Sequence, residues 1–236
     1  MNTLKTIGDE PVVRLQANPR RAGEPSLTGA GALIARVRAR WDGTIREACR
    51  YSSVPVEFLG ALVANESAGD PRAVRFEPAV YRHLVSVAEG KSSRYGSLRR
   101  AEVAAEIDDI LHPKTPAFHA DVLTPGFGKA HGERLAQTPD EALRELATSW
   151  GLTQIMGYHM VGRAGTPRDL VEPRFHFRVA LEIMAEFAER YELNLARDFA
   201  ELFRCWNTGQ PCGATADPDF VEIGLQRMEL YLCVIG

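Results

Sequence analysis

From Ala30 onward apolar residues recur three and four positions apart over most of this chain, and strand-type alternation is scarce. Leu33, Ile34, Val37 and Trp41 begin a helical stripe that Gly43 is expected to break, before a short second piece carrying Ile45, Ala48 and Cys49. Ser52-Ser53-Val54-Pro55 reads as a helix start: a hydroxyl is the candidate cap, and proline lies near the first turn, where its missing N–H does no harm. The helix that follows, 56–67, should stop at Gly69-Asp70-Pro71. Helical patterns resume over 141–147, 173–191, 195–206 and 219–234, and the apolar stripe from Phe175 to Phe187 reads as ordinary helix packing. Arg36, Arg38 and Arg40 lie two apart, do not share a helical face, and read as mostly solvated charge.

Two segments depart from this periodicity. Residues 1–28 mix Pro, Gly, Arg and Asn without period and read as an irregular arm. Residues 90–140 are richer in Lys, Arg, His, Pro and Gly, with one helical piece over 101–111. Within them HPKTPAFHADVLTPGFGKAHG reads as a long irregular insertion. The expected architecture is one mainly α domain over 29–236, with at most a small β-hairpin or sheet.

Composition narrows the class without naming a chemistry. The 236 residues are 45% hydrophobic and 25% charged, which excludes collagen-like and wholly disordered chains. No apolar run is long enough for a membrane-spanning helix, so stable membrane insertion is not expected. A net charge of −3 argues against a general nucleic-acid binder. Cys49, Cys205, Cys212 and Cys233 form no CxxC pair, and His83, His112, His119, His131, His159 and His176 are scattered singly, so neither a metal nor another cofactor is expected. Cys205 and Cys212 flank WNTGQP and could staple it, or remain ordinary thiols.

The chemically informative segment is FLGALVANESAGDP. Leu59, Leu62, Val63 and Glu66 share one helical face, and a carboxylate among core positions is unusual. Burial there, together with the negative end of the helix, would raise its pKa and keep it protonated near neutrality, as a general acid requires. The residues alone leave a second reading open, in which Glu66 faces solvent or pairs with Arg72 or Arg75.

Three blocks in order, Glu66-Ser67 with Gly69-Asp70-Pro71, then Gly151-Leu152-Thr153-Gln154-Ile155-Met156, then Trp206-Asn207-Thr208-Gly209, resemble the motifs of the lysozyme-like superfamily of soluble lytic transglycosylases and goose-type lysozymes. RFEPAVYRHL, RYGSLRRAEVAAEID and SWGLTQIMGYHM are similar to the N-acetylmuramidase domains of phage endolysins, and together the likenesses span 30–210. The resemblance implies an α+β lysozyme-like fold, a catalytic cleft, and Glu66 as general acid on the bond between N-acetylmuramic acid and N-acetylglucosamine. Trp206 stands where the family has a tyrosine, and Thr153 where it has a methionine.

Glycoside hydrolysis commonly uses two carboxylates, and Glu77 is the expected second one, against a structural reading as an arginine partner. Asp70 should brace its turn, and Asp108 and Asp109 are more distant candidates. Ser67, Gln154, Tyr158, Trp206 and Asn207 are the expected sugar contacts, although Gln154 and Asn207 could instead satisfy loop backbone. Trp150 is expected to brace the Gly151 turn. The implied partner is the peptidoglycan glycan strand, met by a monomer. Alternatives are a lytic transglycosylase, which makes anhydro-muramyl ends with one carboxyl, and a non-catalytic glycan- or protein-binding module. The opening residues carry no secretory leader pattern, so the wall would be reached by phage lysis, by dedicated secretion or after removal of a leader.

Overall fold

The expected helical patterns take shape as eight helices and one small sheet among the residues that the computed structural model describes, 29–88, 125–215 and 217–233. These residues are 66% helical and 5% strand, a mainly α fold with a three-stranded antiparallel sheet. The expected arm over 1–28 and the helical piece over 101–111 lie outside the described residues.

Helix α1, Gly29–Cys49, buries Ile34, Val37, Trp41, Ile45 and Cys49 along one stripe. It runs straight through Gly43, contrary to the expected break. That glycine is exposed, and the cost of one helical glycine is outweighed by continuing the stripe through Ile45, which is fully buried. Arg38 is also not simply solvated: its Nη1 donates to the Tyr231 carbonyl at 2.9 Å, tying α1 to the last helix.

Helix α2, Val56–Glu66, is the centre of the molecule. Phe58 through Ala64 are all buried, so it is apolar on every side until its last turn. It packs between α1 and α8, Phe220–Cys233. No hydroxyl caps its start. Pro55 occupies the cap position, and the Ser52 hydroxyl instead accepts the Val54 N–H at 3.0 Å in the preceding turn. The helix stops as its sequence predicts, with Ala68 and Gly69 at φ 53° and 87°. The Gly69 carbonyl accepts the Trp41 indole N–H at 2.9 Å, and Asp70 accepts the Arg72 amide at 2.9 Å, bracing the turn.

The sheet follows in the order β1 (Val74–Phe76), β2 (Thr148–Trp150), β3 (Ile155–Met156), with Val74 opposite Trp150 and Ser149 opposite Met156. Helices α3 (Pro78–Ala88), α4 (Pro125–Ala136) and α5 (Asp140–Leu146) lie between β1 and β2 in the chain. They build a second apolar cluster from Val80, Leu84, Val87, Leu135, Leu143 and Leu146. The C-terminal part of the stretch expected to be irregular is therefore helical from Pro125. Proline suits a first helical position, whereas Gly126, Gly128 and Gly132 obscured the pattern.

Two 3-10 turns, Gly157–Met160 and Pro167–Val171, lead to α6, Pro173–Tyr191, which is capped by the Glu172 carboxylate. Helix α7, Phe199–Thr208, begins four residues later than its pattern suggested. The Asn194 amide donates to Asp198 at 2.7 Å and the Ala196 amide to the Asn194 side chain at 2.9 Å, so side-chain bonds hold this stretch as a turn.

Two helical glycines should respond in opposite ways to alanine. A Cβ on Gly60 would sit 2.1 Å from the Tyr231 ring, whereas one on Gly43 would meet nothing within 4 Å. Gly60→Ala is expected to destabilise by about 1–3 kcal/mol. Gly43→Ala should stabilise by up to about 1 kcal/mol. Urea melts of the two variants check both signs.

Candidate active site

The site is organised by the four residues 151–154 that join β2 to β3. Gly151 has φ 72°, and a Cβ there would lie 2.5 Å from the Leu170 carbonyl oxygen, so only glycine fits. Gln154 also occupies the left-handed region, at φ 53°, a strained position for a side-chain-bearing residue. Its own amide holds it there. Gln154 Nε2 donates to the carbonyls of Ala73 at 3.0 Å and Gly151 at 2.9 Å, while Oε1 accepts the Ser149 hydroxyl at 2.8 Å.

A buried histidine fixes the other half of the turn. The Thr153 amide donates to His176 Nε2 at 2.9 Å, which makes that nitrogen an acceptor and puts the ring proton on Nδ1, which donates to Leu170 O at 2.8 Å. The Thr153 hydroxyl lies 2.8 Å from the same Nε2. Burial pushes the imidazole down to about 4, the Leu170 bond opposing. Thr153 thus has a partner that sequence reading did not supply. His176 stood in the sequence as one of six scattered histidines, and only its place on the buried face of α6 hinted at this use.

Each of the three sequence blocks reaches this turn. The Ser67 hydroxyl, one residue past the end of α2, donates to the Leu152 carbonyl at 2.7 Å and accepts the Gly69 amide at 3.2 Å. The Trp206 indole N–H, on α7, donates to the Thr153 carbonyl at 2.8 Å, not to Glu66. Trp150 donates to the Glu145 carbonyl at 3.0 Å, anchoring the strand that enters the turn.

Glu66 is half-buried at the last position of α2. Its carboxyl takes no hydrogen bond or ion pair from the described residues, and burial pushes it up to about 8 against the pull of the Arg75 guanidinium. Of the two readings the sequence left open, the one with a desolvated acid matches this environment better than a solvated or directly paired carboxylate. Glu77 differs sharply. Its side chain is fully buried, and Arg75 Nε lies 2.6 Å from its Oε1. Burial raises its pKa while Arg75 opposes. Its backbone amide donates to Ala147 O at 2.8 Å, joining α3 to the end of α5. Of the two readings of Glu77, a second catalytic carboxylate or a structural partner of an arginine, the contact with Arg75 and the sealing from solvent fit the arginine partner.

The expected sugar contacts divide into two sets. Gln154, Tyr158, Trp206 and Asn207 line one cavity of about 60 Å³, and Asn207 Oδ1 is shut from solvent without a hydrogen-bond partner among the described residues. Tyr158 is buried, and burial with the nearby Glu77 carboxylate raises its phenol pKa. Glu66 and Ser67 are not among the residues lining this cavity. A cavity of about 620 Å³ lies elsewhere, lined by Thr44, Tyr51, Arg174, Arg178 and Leu181 among others, and it includes no predicted site residue. Asp108 and Asp109, and the histidines at 112 and 119, lie outside the described residues. Cys205 is buried and Cys212 exposed, both as free thiols. Among the described residues no three His, Cys, Asp or Glu side chains gather as a metal site, and no helix is long and apolar enough to cross a membrane.

No protein-family model, curated protein or solved structure matches this chain.

The buried imidazole has a thermodynamic consequence. The unfolded chain takes up a proton near 6.5 that folded His176 refuses until about 4, so its contribution to stability is full above 6.5 and is lost as the pH falls toward 4. His83, also pushed down to about 4 by burial, acts in the same direction. Melting temperatures should therefore fall from pH 6.5 to 4, with a shallower slope in His176→Gln than in the wild type. At neutral pH His176→Ala is expected to cost about 2–4 kcal/mol, since it leaves the Thr153 amide and the Leu170 carbonyl without partners.

Proposed function

We propose that this protein cleaves peptidoglycan glycan strands at the N-acetylmuramic acid–N-acetylglucosamine bond, with Glu66 as the acid that protonates the leaving oxygen. The observation that carries this reading is the convergence of the first and third blocks, through Ser67 and Trp206, on the 151–154 turn that opens the second, beside a half-buried carboxyl with its pKa raised to about 8. These are the same three blocks whose sequence resembles the lysozyme-like superfamily. A carboxyl that is neutral at pH 7 and free of hydrogen-bond partners among the described residues can hand its proton to a glycosidic oxygen.

The burial of Glu77 bears on the reaction type. Hydrolysis with two carboxylates needs the second to reach water or the sugar ring. A sealed Glu77 held by Arg75 favours the one-carboxyl route instead. In that route Glu66 first gives its proton to the leaving oxygen. As a carboxylate it then takes the proton of the muramyl 6-hydroxyl, whose oxygen closes on the anomeric carbon.

Digestion of purified peptidoglycan, with mass analysis of the released fragments, tests both levels. Wild-type protein is expected to release fragments with anhydro-muramyl ends, and Glu66→Gln should lower the rate about 10²–10⁴-fold. Reducing ends in place of anhydro ends would restore the muramidase. Equal rates for the two proteins would remove Glu66 from the chemistry. Because the acid must carry its proton, kcat should hold below pH 8 and fall as the pH rises through about 8. The same shift weakens the fold as the pH rises from 4.5 to 8, where the unfolded chain has lost a proton that the folded chain keeps. Glu66→Gln should accordingly melt higher than wild type by a margin that grows across that range.

A further inference from the structure

Among the described residues the sheet ends at β1, which has β2 on one side and no strand on the other. Its three residues are all exposed, Val74 at 56% and Phe76 at 37%. The ladder fixes which main-chain groups are used. The Gly151 amide donates to the Ala73 carbonyl at 2.8 Å and the Glu77 amide to the Ala147 carbonyl at 2.8 Å, and Arg75 pairs with Ser149 midway between them. In an antiparallel pair such bonds fall on alternate residues, so the N–H and C=O groups of Val74 and Phe76 point away from β2. They meet no partner among the described residues.

This edge is held firmly from within. Gln154 Nε2 donates to the Ala73 carbonyl at 3.0 Å, and the Ser149 hydroxyl to the Arg75 carbonyl at 3.3 Å. Its side chains sort by face. Val74 and Phe76 share one side of the strand, and the Phe76 ring lies 5.8 Å from that of Tyr81 and 5.9 Å from the Arg144 guanidinium. The result is an apolar shelf with a cationic margin. Arg75 stands on the opposite side with its Nε on the sealed Glu77 carboxylate and its side chain 68% exposed. Arg72, just before the strand, is exposed and has no ion-pair partner among the described residues. The two exposed carboxylates nearby are engaged, Asp140 with Arg144 at 2.9 Å and Asp70 with the Arg72 amide.

A row of open main-chain groups is a template for another strand, and side chains decide which strand fits. A second copy that used every open group would set Val74 against its Phe76 and Arg75 against its Arg75. Like charges directly opposite are destabilising, and this is the pair in which the two chains come closest. A carboxylate at that position reverses the sign. We infer that β1 is a docking edge for an extended polypeptide segment that carries an acidic residue between two apolar ones. The apolar residues exchange main-chain hydrogen bonds with Val74 and Phe76 and cover their side chains, while the carboxylate meets the outward part of Arg75. The inference is independent of the chemistry at Glu66.

A peptide that carries this pattern, acetyl-Ser-Thr-Val-Glu-Val-Thr-Ser-amide, is titrated to millimolar concentration into the whole protein, and backbone amides are followed by ¹H–¹⁵N NMR. The Val74 and Phe76 amides should exchange rapidly with solvent in the free protein, then shift and slow as peptide is added. Methylating the two valine nitrogens of the peptide, which face β1, should weaken binding about tenfold or more, whereas methylating the glutamate nitrogen, which faces away, should change it less than about threefold. Lysine in place of the peptide glutamate should weaken binding about threefold or more. Val74→Pro, which removes an outward N–H and leaves the ladder to β2 intact, should weaken it to a similar extent; the methylated peptides carry the test in the unaltered protein if that variant does not fold. Amides of Val74 and Phe76 that are protected without peptide would mean that the edge is already covered, by residues 89–124 or, if protection and mass rise with concentration, by a second copy, and either overturns the inference. So does a peptide that leaves both amides unmoved, or one whose binding ignores which nitrogens are methylated. Equal binding of the lysine peptide overturns the selection by charge.

Discussion

The hydrogen bonds that converge on residues 151–154 are the constraint on which the rest of the site depends. Ser67 reaches Leu152 across 85 residues of chain, Gln154 reaches Ala73 across 81, and Trp206 reaches Thr153 across 53. Each neutral bond contributes only about 1 kcal/mol net. Their geometric effect is larger, because the turn they hold contains two left-handed residues and would not keep its shape alone. His176 completes it from beneath, and with the turn fixed, the end of α2, the sheet and α7 take up fixed positions around it.

That frame makes room for a residue the core would otherwise reject. Helix α2 is buried on all sides as far as Ala64, and its last position is a carboxyl without hydrogen-bond partners among the described residues. The fold tolerates this because the group is neutral near pH 7, and the neutrality that limits the cost of burial also suits the group to donate a proton. Four residues that carry polar groups in the same neighbourhood, Ser67, Gln154, Thr153 and Trp206, spend those groups on holding the turn. Among the described residues, Asn207 alone of the expected sugar contacts keeps a buried acceptor unsatisfied.

Much of this was legible in the sequence, and the parts that were not have physical reasons. The stop of α2 at Ser67 through Pro71, the bounds of α6 and the place of Glu66 among core positions follow from periodicity and turn chemistry that act locally. Gly43 was misleading because propensity is a small local term that the burial of Ile45 overrides. The missing hydroxyl cap on α2 and the late start of α7 turned on which of several competing side-chain bonds wins, a matter of tenths of a kcal/mol that sequence spacing does not resolve. The pairing of Thr153 with His176 and of Arg75 with Glu77 could not be assigned: one joins a turn to a helix 23 residues away, and the other depends on burial that only the packing of α3 and α5 creates. Glu77 was thus visible as a candidate second carboxylate or arginine partner, but its surroundings, not its spacing, decide between the two.

The account stands on Glu66 facing the scissile bond from beside that turn. A crystal structure of Glu66→Gln with a bound peptidoglycan tetrasaccharide tests this most directly. The glycosidic oxygen should lie about 2.6–3.2 Å from the side chain at position 66. A glycan seated instead in the larger cavity between Tyr51 and Arg174, or lying clear of position 66, would contradict it.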